Sequence, residues 1–240
     1  MSFLIDDVET VALRIRDRFR SANPHLQHVS CEMSRAFDSK RERRPGSSQL
    51  RSLKWSDPAQ QSYTPGSTRV RIAGEVIVRA EILLESFRRH GVTHVIGVPD
   101  NGSRALFELL WHVDDIKVVL VTREGEAFGL ATGLLVGGTV PLVLIQNTGL
   151  LEAGDAFRDT PFNMHVPLVM LVGYRGYGGH REGPGRVDSA ATFLEPTLKA
   201  WQIPYTISGD DDIAQHLDDA FEKAAVSSLP AAVVLRAHTE

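Results

Sequence analysis

From residue 73 onward, two hydrophobic periods take turns along the chain. Ala73, Val76, Ile77, Ala80, Leu83, Leu84 and Phe87 recur at helical spacing, which predicts an amphipathic helix stopping near Gly91. Short apolar runs then alternate with helical stretches. Strands are expected over 93–98, 116–122, 140–146, 166–173, 202–207 and 231–237, and helices over 103–111, 125–136, 150–158, 190–200 and 210–226. The runs starting at Val118, Pro141, Pro167 and Ala231 are apolar throughout, as strands buried on both faces are. Strands alternating with helices imply a parallel sheet covered on both sides. The expected fold is α/β: a three-layer α/β/α sandwich with a mostly parallel sheet of about six strands and no internal repeat.

The first 70 residues follow a different pattern. Leu4, Val8, Val11, Ile15 and Phe19 form one helical stripe, with Ile5 and Ala12 beside it, so an amphipathic helix is expected over about 4–20. Residues 21–70 are rich in Ser, Arg, Gln and Pro, include Lys40-Arg-Glu-Arg-Arg44, and show no sustained period. They read as a disordered linker. The division is therefore an arm over 1–70 and one α/β domain over 71–240.

Charge sharpens that division. Residues 1–71 hold 13 of the 26 Lys and Arg and 8 of the 30 Asp and Glu, a net of +5, which leaves −9 on the rest. A basic arm on an acidic body suits a solvated tail, or a surface for an acidic partner; nucleic acid is the weaker candidate. Cys31 is the single cysteine, which excludes an internal disulfide framework and any CxxC metal spacing. No apolar run approaches membrane-spanning length, and no secretory h-region opens the chain. Asp6, Asp7 and Glu9 argue against a mitochondrial transit peptide, so the expected location is the cytoplasm.

Chemistry in open α/β sheets sits at the carboxyl ends of strands. The run 116–122 delivers Glu124 to the first turn of a helix built from small residues, and Pro141-Leu-Val-Leu-Ile145 delivers Gln146 and Asn147 to a loop. Each has a plain structural reading. A glutamate at a helix N-terminus complements the dipole, Asn-Thr-Gly is ordinary turn chemistry, and Asp100-Asn101-Gly102 caps a helix starting at Ser103. The segment Gly173 to Gly185 fails the spacing of both phosphate-binding glycine motifs. It reads as a flexible loop over the site, with Arg175, His180 and Arg181 available to an anion. The remaining histidines show no HExxH or paired-ligand spacing, and no GxSxG elbow exists.

Taken together, Arg123-Glu-Gly-Glu-Ala127, Gln146-Asn-Thr-Gly-Leu150, Val172-Gly-Tyr-Arg-Gly176 and Gly97-Val-Pro-Asp100 resemble the pyrimidine-binding domain of thiamine diphosphate enzymes. The likeness runs from about Ile72 to Ala237 and is strongest to the sulfopyruvate and phosphonopyruvate decarboxylases. The resemblance implies the thiamine diphosphate-binding fold. It implies that Glu124 hydrogen-bonds N1′ of the aminopyrimidine and so promotes removal of the C2 proton. The family pattern has small residues three and nine positions after that glutamate, here Ala127 and Gly133, which selects Glu124 over Glu126. It further implies that Pro99, Gln146 and Asn147 lie beside the cofactor, with Asp100, Asn101, Arg175 and His180 as substrate contacts. One departure stands out: where the family continues Gly-Leu-Gly-Asn, this chain reads Gly149-Leu-Leu-Glu-Ala-Gly154, which brings Glu152 near the cavity.

The family holds Mg²⁺ and the diphosphate with a Gly-Asp-Gly string followed downstream by Asn. Gly209-Asp210-Asp211 is the one approach to it, no Asn follows, and the chain closes at Glu240. The resemblance therefore implies the α subunit of a decarboxylase acting on a 3-sulfo- or 3-phosphonopyruvate-like 2-oxoacid, in a homo- or hetero-oligomer. A separate β subunit would hold Mg²⁺ and the diphosphate. The alternatives are a subunit of a carboligating synthase, or a noncatalytic regulatory subunit that has kept the fold.

Overall fold

The computed structural model describes residues 77–181, 188–209 and 212–240. The arm, with its expected helix and linker, and the boundary near residue 71 lie outside them. In chain order the elements are β1 (Ile77–Val78), α1 (Ala80–Arg89), β2 (His94–Gly97), α2 (Arg104–Leu110), β3 (Lys117–Leu120), α3 (Glu124–Val136) and β4 (Pro141–Gln146). Next come α4 (Asn147–Glu152), α5 (Gly154–Phe157) running into a π-helical turn (Arg158–Phe162), β5 (Val169–Gly173), α6 (Tyr177–Arg181) and α7 (Ser189–Ala200). β6 (Tyr205–Ser208), α8 (Ile213–Ser227), β7 (Ala231–Leu235) and β8 (His238–Thr239) close the chain.

Six strands form one parallel sheet in the order β3-β2-β4-β5-β7-β6. Alternate residues along the strands feed two cores, as the period of two requires. Val95, Leu142, Leu144, Val169, Leu171 and Val233 meet α1, α2 and α8 on one face. Ile96, Val143, Ile145, Met170, Val172 and Val234 meet α3, α4, α5 and α7 on the other. This is the expected three-layer sandwich, and both cores are closed: Phe87, Phe107, Phe128 and Phe157 are fully buried. The chain leaves β2 toward one face and β4 toward the other, although the two strands are neighbours. A crevice at such a switch point is where open α/β sheets bind ligands.

Three expected elements are corrected. The helix begins at Ala80 and not near Ala73, because Ile77 and Val78 pair in parallel with His238 and Thr239, and this long-range pairing overrides the local helical period. Residues 150–158 are not one helix: Ala153 separates α4 from α5, whose first residue, Gly154, packs under the Trp201 indole. Within the glycine-rich stretch 173–187, α6 forms where the Tyr177 ring packs edge-on against Tyr174 at 5.1 Å.

The two-stranded β1–β8 ribbon also organises the loop after β2. Thr239 Oγ1 donates to the Gly102 carbonyl at 2.9 Å and accepts the Leu106 N–H at 3.3 Å, so the cap of α2 comes from the far end of the chain. Thr239 is buried, and Thr239→Val keeps its shape while stranding the Leu106 N–H; the Gly102 carbonyl retains the backbone N–H of residue 239 at 2.8 Å. The expected cost is about 1–3 kcal/mol. For a domain of this size each kcal/mol lowers Tm by roughly 2–4 °C; an unchanged melting curve would remove Thr239 from this role.

Candidate active site

The parallel register brings Gly97, Leu120, Gln146, Gly173, Leu235 and Ser208 to one edge of the sheet. Every candidate site residue lies on, or just after, that edge. At Gly97 a Cβ would overlap the Leu144 carbonyl, so β2 and β4 approach more closely at the mouth of the crevice than any side chain allows.

Glu124 opens α3 after Arg123, whose backbone is extended at φ −139°, ψ 142°. The side chain is half-buried, and among the described residues its carboxylate has no hydrogen-bond or ionic partner. It lies flat against Gly149: a methyl there would overlap Cγ, Cδ and Oε1 of Glu124. Two motifs from different strands therefore meet in one contact, and glycine is what makes it possible.

Glu126 has a different occupation. Its carboxylate accepts the Thr122 N–H at 3.0 Å and the Thr122 hydroxyl at 3.0 and 3.1 Å. These bonds, the backbone one first, hold its carboxyl below the usual range. A third-position glutamate reaching back over the helix start is capping chemistry. Glu126 is spent on the fold, whereas Glu124 is left free.

Glu152, the departure noted in the sequence, joins this corner. Its Oε1 accepts Arg123 Nε at 2.9 Å and also contacts Nη2, and Oε2 accepts the Gly125 N–H at 3.3 Å. The Arg123 guanidinium holds the Glu152 carboxyl below its ordinary range, and Glu152 raises Arg123 in turn. Both are largely exposed, so the pair adds little to stability.

In the loop after β4, Gln146 Oε1 accepts the Thr148 hydroxyl at 3.0 Å, while its amide nitrogen has no partner among the described residues. Asn147 is fully buried: Nδ2 donates to the Arg175 carbonyl at 3.0 Å and Oδ1 accepts the Thr148 N–H at 3.0 Å. It bridges the loops after β4 and β5. After β2, Pro99 and Asn101 are exposed. Asp100 Oδ1 accepts the N–H groups of Gly102 at 2.5 Å and Ser103 at 3.1 Å, and Oδ2 accepts the Ser103 hydroxyl at 3.1 Å. Asp100 thus closes the turn that leads into α2, whereas the N–H of Leu106 inside the helix goes to Thr239, and the same Asp100 carboxylate faces Gly173 across the edge. The Arg175 side chain is exposed and pairs with Asp188 at 3.1 Å. His180 sits half-buried on α6. The Arg236 guanidinium, just past β7, lies 5.8 Å from the Tyr177 ring centre and places a further cation at this edge. Its only signal in the sequence is its position after a buried strand.

A half-buried carboxylate left free at the switch point is a donor set suited to a protonated ring nitrogen. Residues 78–192 match the family model of the thiamine pyrophosphate enzyme N-terminal TPP binding domain. Over that stretch the chain is similar to the N-terminal domain of thiamine pyrophosphate enzymes. The matched stretch ends inside α7, and β6 and β7 complete the same sheet beyond it. Among curated proteins, the chain is similar to sulfopyruvate decarboxylase subunit alpha of Methanococcus maripaludis, 27% identical over 159 residues that cover 66% of this chain and 94% of that protein. It is 30% identical over 100 residues to the subunit of the same name from Methanothermobacter thermautotrophicus, covering 42% of this chain and 61% of that one. It is 30% identical over 94 residues to phosphonopyruvate decarboxylase of Streptomyces viridochromogenes, 39% of this chain and 24% of that enzyme. No helix among the described residues is long and apolar enough to cross a membrane.

Proposed function

We propose that this chain is the pyrimidine-binding α subunit of a thiamine diphosphate-dependent decarboxylase for an anionic 2-oxoacid of the 3-sulfo- or 3-phosphonopyruvate kind. The observation that carries the reading is Glu124: a carboxylate with no described partner, at the carboxyl edge, seated on Gly149. Thiamine diphosphate, when bound, supplies the electron sink for loss of CO₂. The chain's part is to hold and move a proton at the Glu124 carboxylate, where the cofactor's aminopyrimidine would be held. Gln146 offers an unspent amide nitrogen beside it. Asn147 keeps the β4 and β5 loops in register, and Asp100 shapes the loop after β2. Arg175 and Arg236 supply positive groups, and His180 a ring able to hydrogen-bond, at the same edge for the second anion of the substrate.

Among the described residues no three His, Cys, Asp or Glu side chains come together to hold a metal. The proposal gives Mg²⁺ and the diphosphate to a separate subunit. Its support is the near-complete match to a protein named as a subunit alpha, against a match to only 38% of the Methanosarcina acetivorans sulfopyruvate decarboxylase. Calorimetry of the purified chain with thiamine diphosphate and Mg²⁺ is expected to show no micromolar binding. Binding and CO₂ release from sulfopyruvate should follow only after addition of a chain bearing the diphosphate-binding string. Micromolar binding by this chain alone would defeat the split-site reading.

A further inference from the structure

Arg123 and Gly125 flank Glu124, and one side chain holds both. Glu152 takes the Arg123 guanidinium on Oε1 and the Gly125 N–H on Oε2. Gly149, which supports Glu124, lies one helical turn earlier on the same α4. That helix therefore offers Glu124 a bare α-carbon and, one turn on, a carboxylate that occupies the guanidinium of the preceding residue, Arg123. An opposite charge within about 4–6 Å favours the ionised form of a carboxylate. A released Arg123 would pair with Glu124, and a carboxylate clamped in that way gives up its capacity to share a proton.

We propose that Glu152 is a positioning residue for Glu124: it keeps the Arg123 guanidinium off the Glu124 carboxylate and pins the start of α3 through the Gly125 N–H. This inference rests on Glu124 being the proton-exchanging residue proposed above. The charged groups electrostatically coupled at this corner are Arg123, Glu126 and Glu152. On the adjoining α5, Asp155 is taken up by Arg158 at 2.8 Å.

The test uses Glu152→Ala, Glu152→Gln and the double variant Arg123→Ala/Glu152→Ala. In the isolated chain carrying ¹³C-labelled glutamate, the Glu124 carboxyl signal is assigned by its loss in Glu124→Gln. Its titration midpoint is expected to lie lower in Glu152→Ala than in wild type and to return toward wild type in the double variant. In the complex with the diphosphate-binding subunit, turnover should fall with that proton affinity, by up to roughly tenfold. The acid limb of the pH–rate profile should move down with it, Glu152→Gln should lie between, and the double variant should recover most of the loss. An unmoved Glu124 titration in Glu152→Ala overturns the proposal, as does a double variant no better than the single one. If the titration moves as expected but Glu124→Gln retains full activity, the catalytic reading of Glu124 fails while the Arg123 assignment stands.

Discussion

Glu124→Gln is expected to slow decarboxylation by the reconstituted complex by about 10²–10⁴-fold, the range for loss of one general acid–base group. The amide is nearly isosteric, and the wild-type carboxylate has no described partner to lose, so folding and assembly should survive. An amide cannot share a proton as a carboxylic acid does. Glu126→Gln, two residues on, should behave in the opposite way. That carboxylate is bonded to the backbone and hydroxyl of Thr122, so weakening it should cost the start of α3 some stability while leaving the proton transfer largely intact. Exchange of the C2 hydrogen of bound thiamine diphosphate for deuterium separates the two. Slowed exchange in Glu126→Gln with normal exchange in Glu124→Gln would shift the assignment by two residues; normal exchange in both would end it.

The layers and the edge that carries the chemistry were legible because they follow from period and strand order. The continuously apolar runs at Pro141 and Ala231 read as strands buried on both faces, and they became the interior strands β4 and β7. The first helix was misplaced because Ile77 and Val78 satisfy the helical period, while the partner that claims them as a strand lies at the other end of the chain. No local pattern carries that information. At the site, flanking small residues picked out Glu124, yet the physical reason for preferring it over Glu126 is the Thr122 cap, which depends on coordinates. Asp100 shows the reverse. Its turn-forming role was plain from Asp-Asn-Gly, and its approach to Gly173 was not, since it depends on β5 running two residues past the level at which β2 ends, with β4 between them. Glu152 could be flagged as a departure but not interpreted, because its partners Arg123 and Gly125 lie on another helix.

The second large effect is expected at Gly149, where activity and stability should part company. Helical propensity favours alanine over glycine by roughly 0.5–1 kcal/mol, and Gly149 lies within α4. The added methyl, however, would occupy the space of the Glu124 carboxylate. Since that carboxylate has no described partner and is only half-buried, it can swing away at little cost, so Gly149→Ala should fold as well as wild type. What it loses is the position of the oxygen proposed to share the proton. A displacement of about 1 Å at a reacting group costs on the order of 10²-fold in rate, and that is the expected loss of turnover at unchanged Tm. Shortening the carboxylate should make room for the methyl, so Glu124→Asp, damaging in the wild-type background, should be less damaging or even compensatory in Gly149→Ala. The four rates of this cycle give the coupling directly. If Gly149→Ala keeps its turnover within a few-fold of wild type, or the effects of the two substitutions simply add, the contact between Glu124 and Gly149 does not set the catalytic geometry. The site would then have to be rebuilt around another carboxylate.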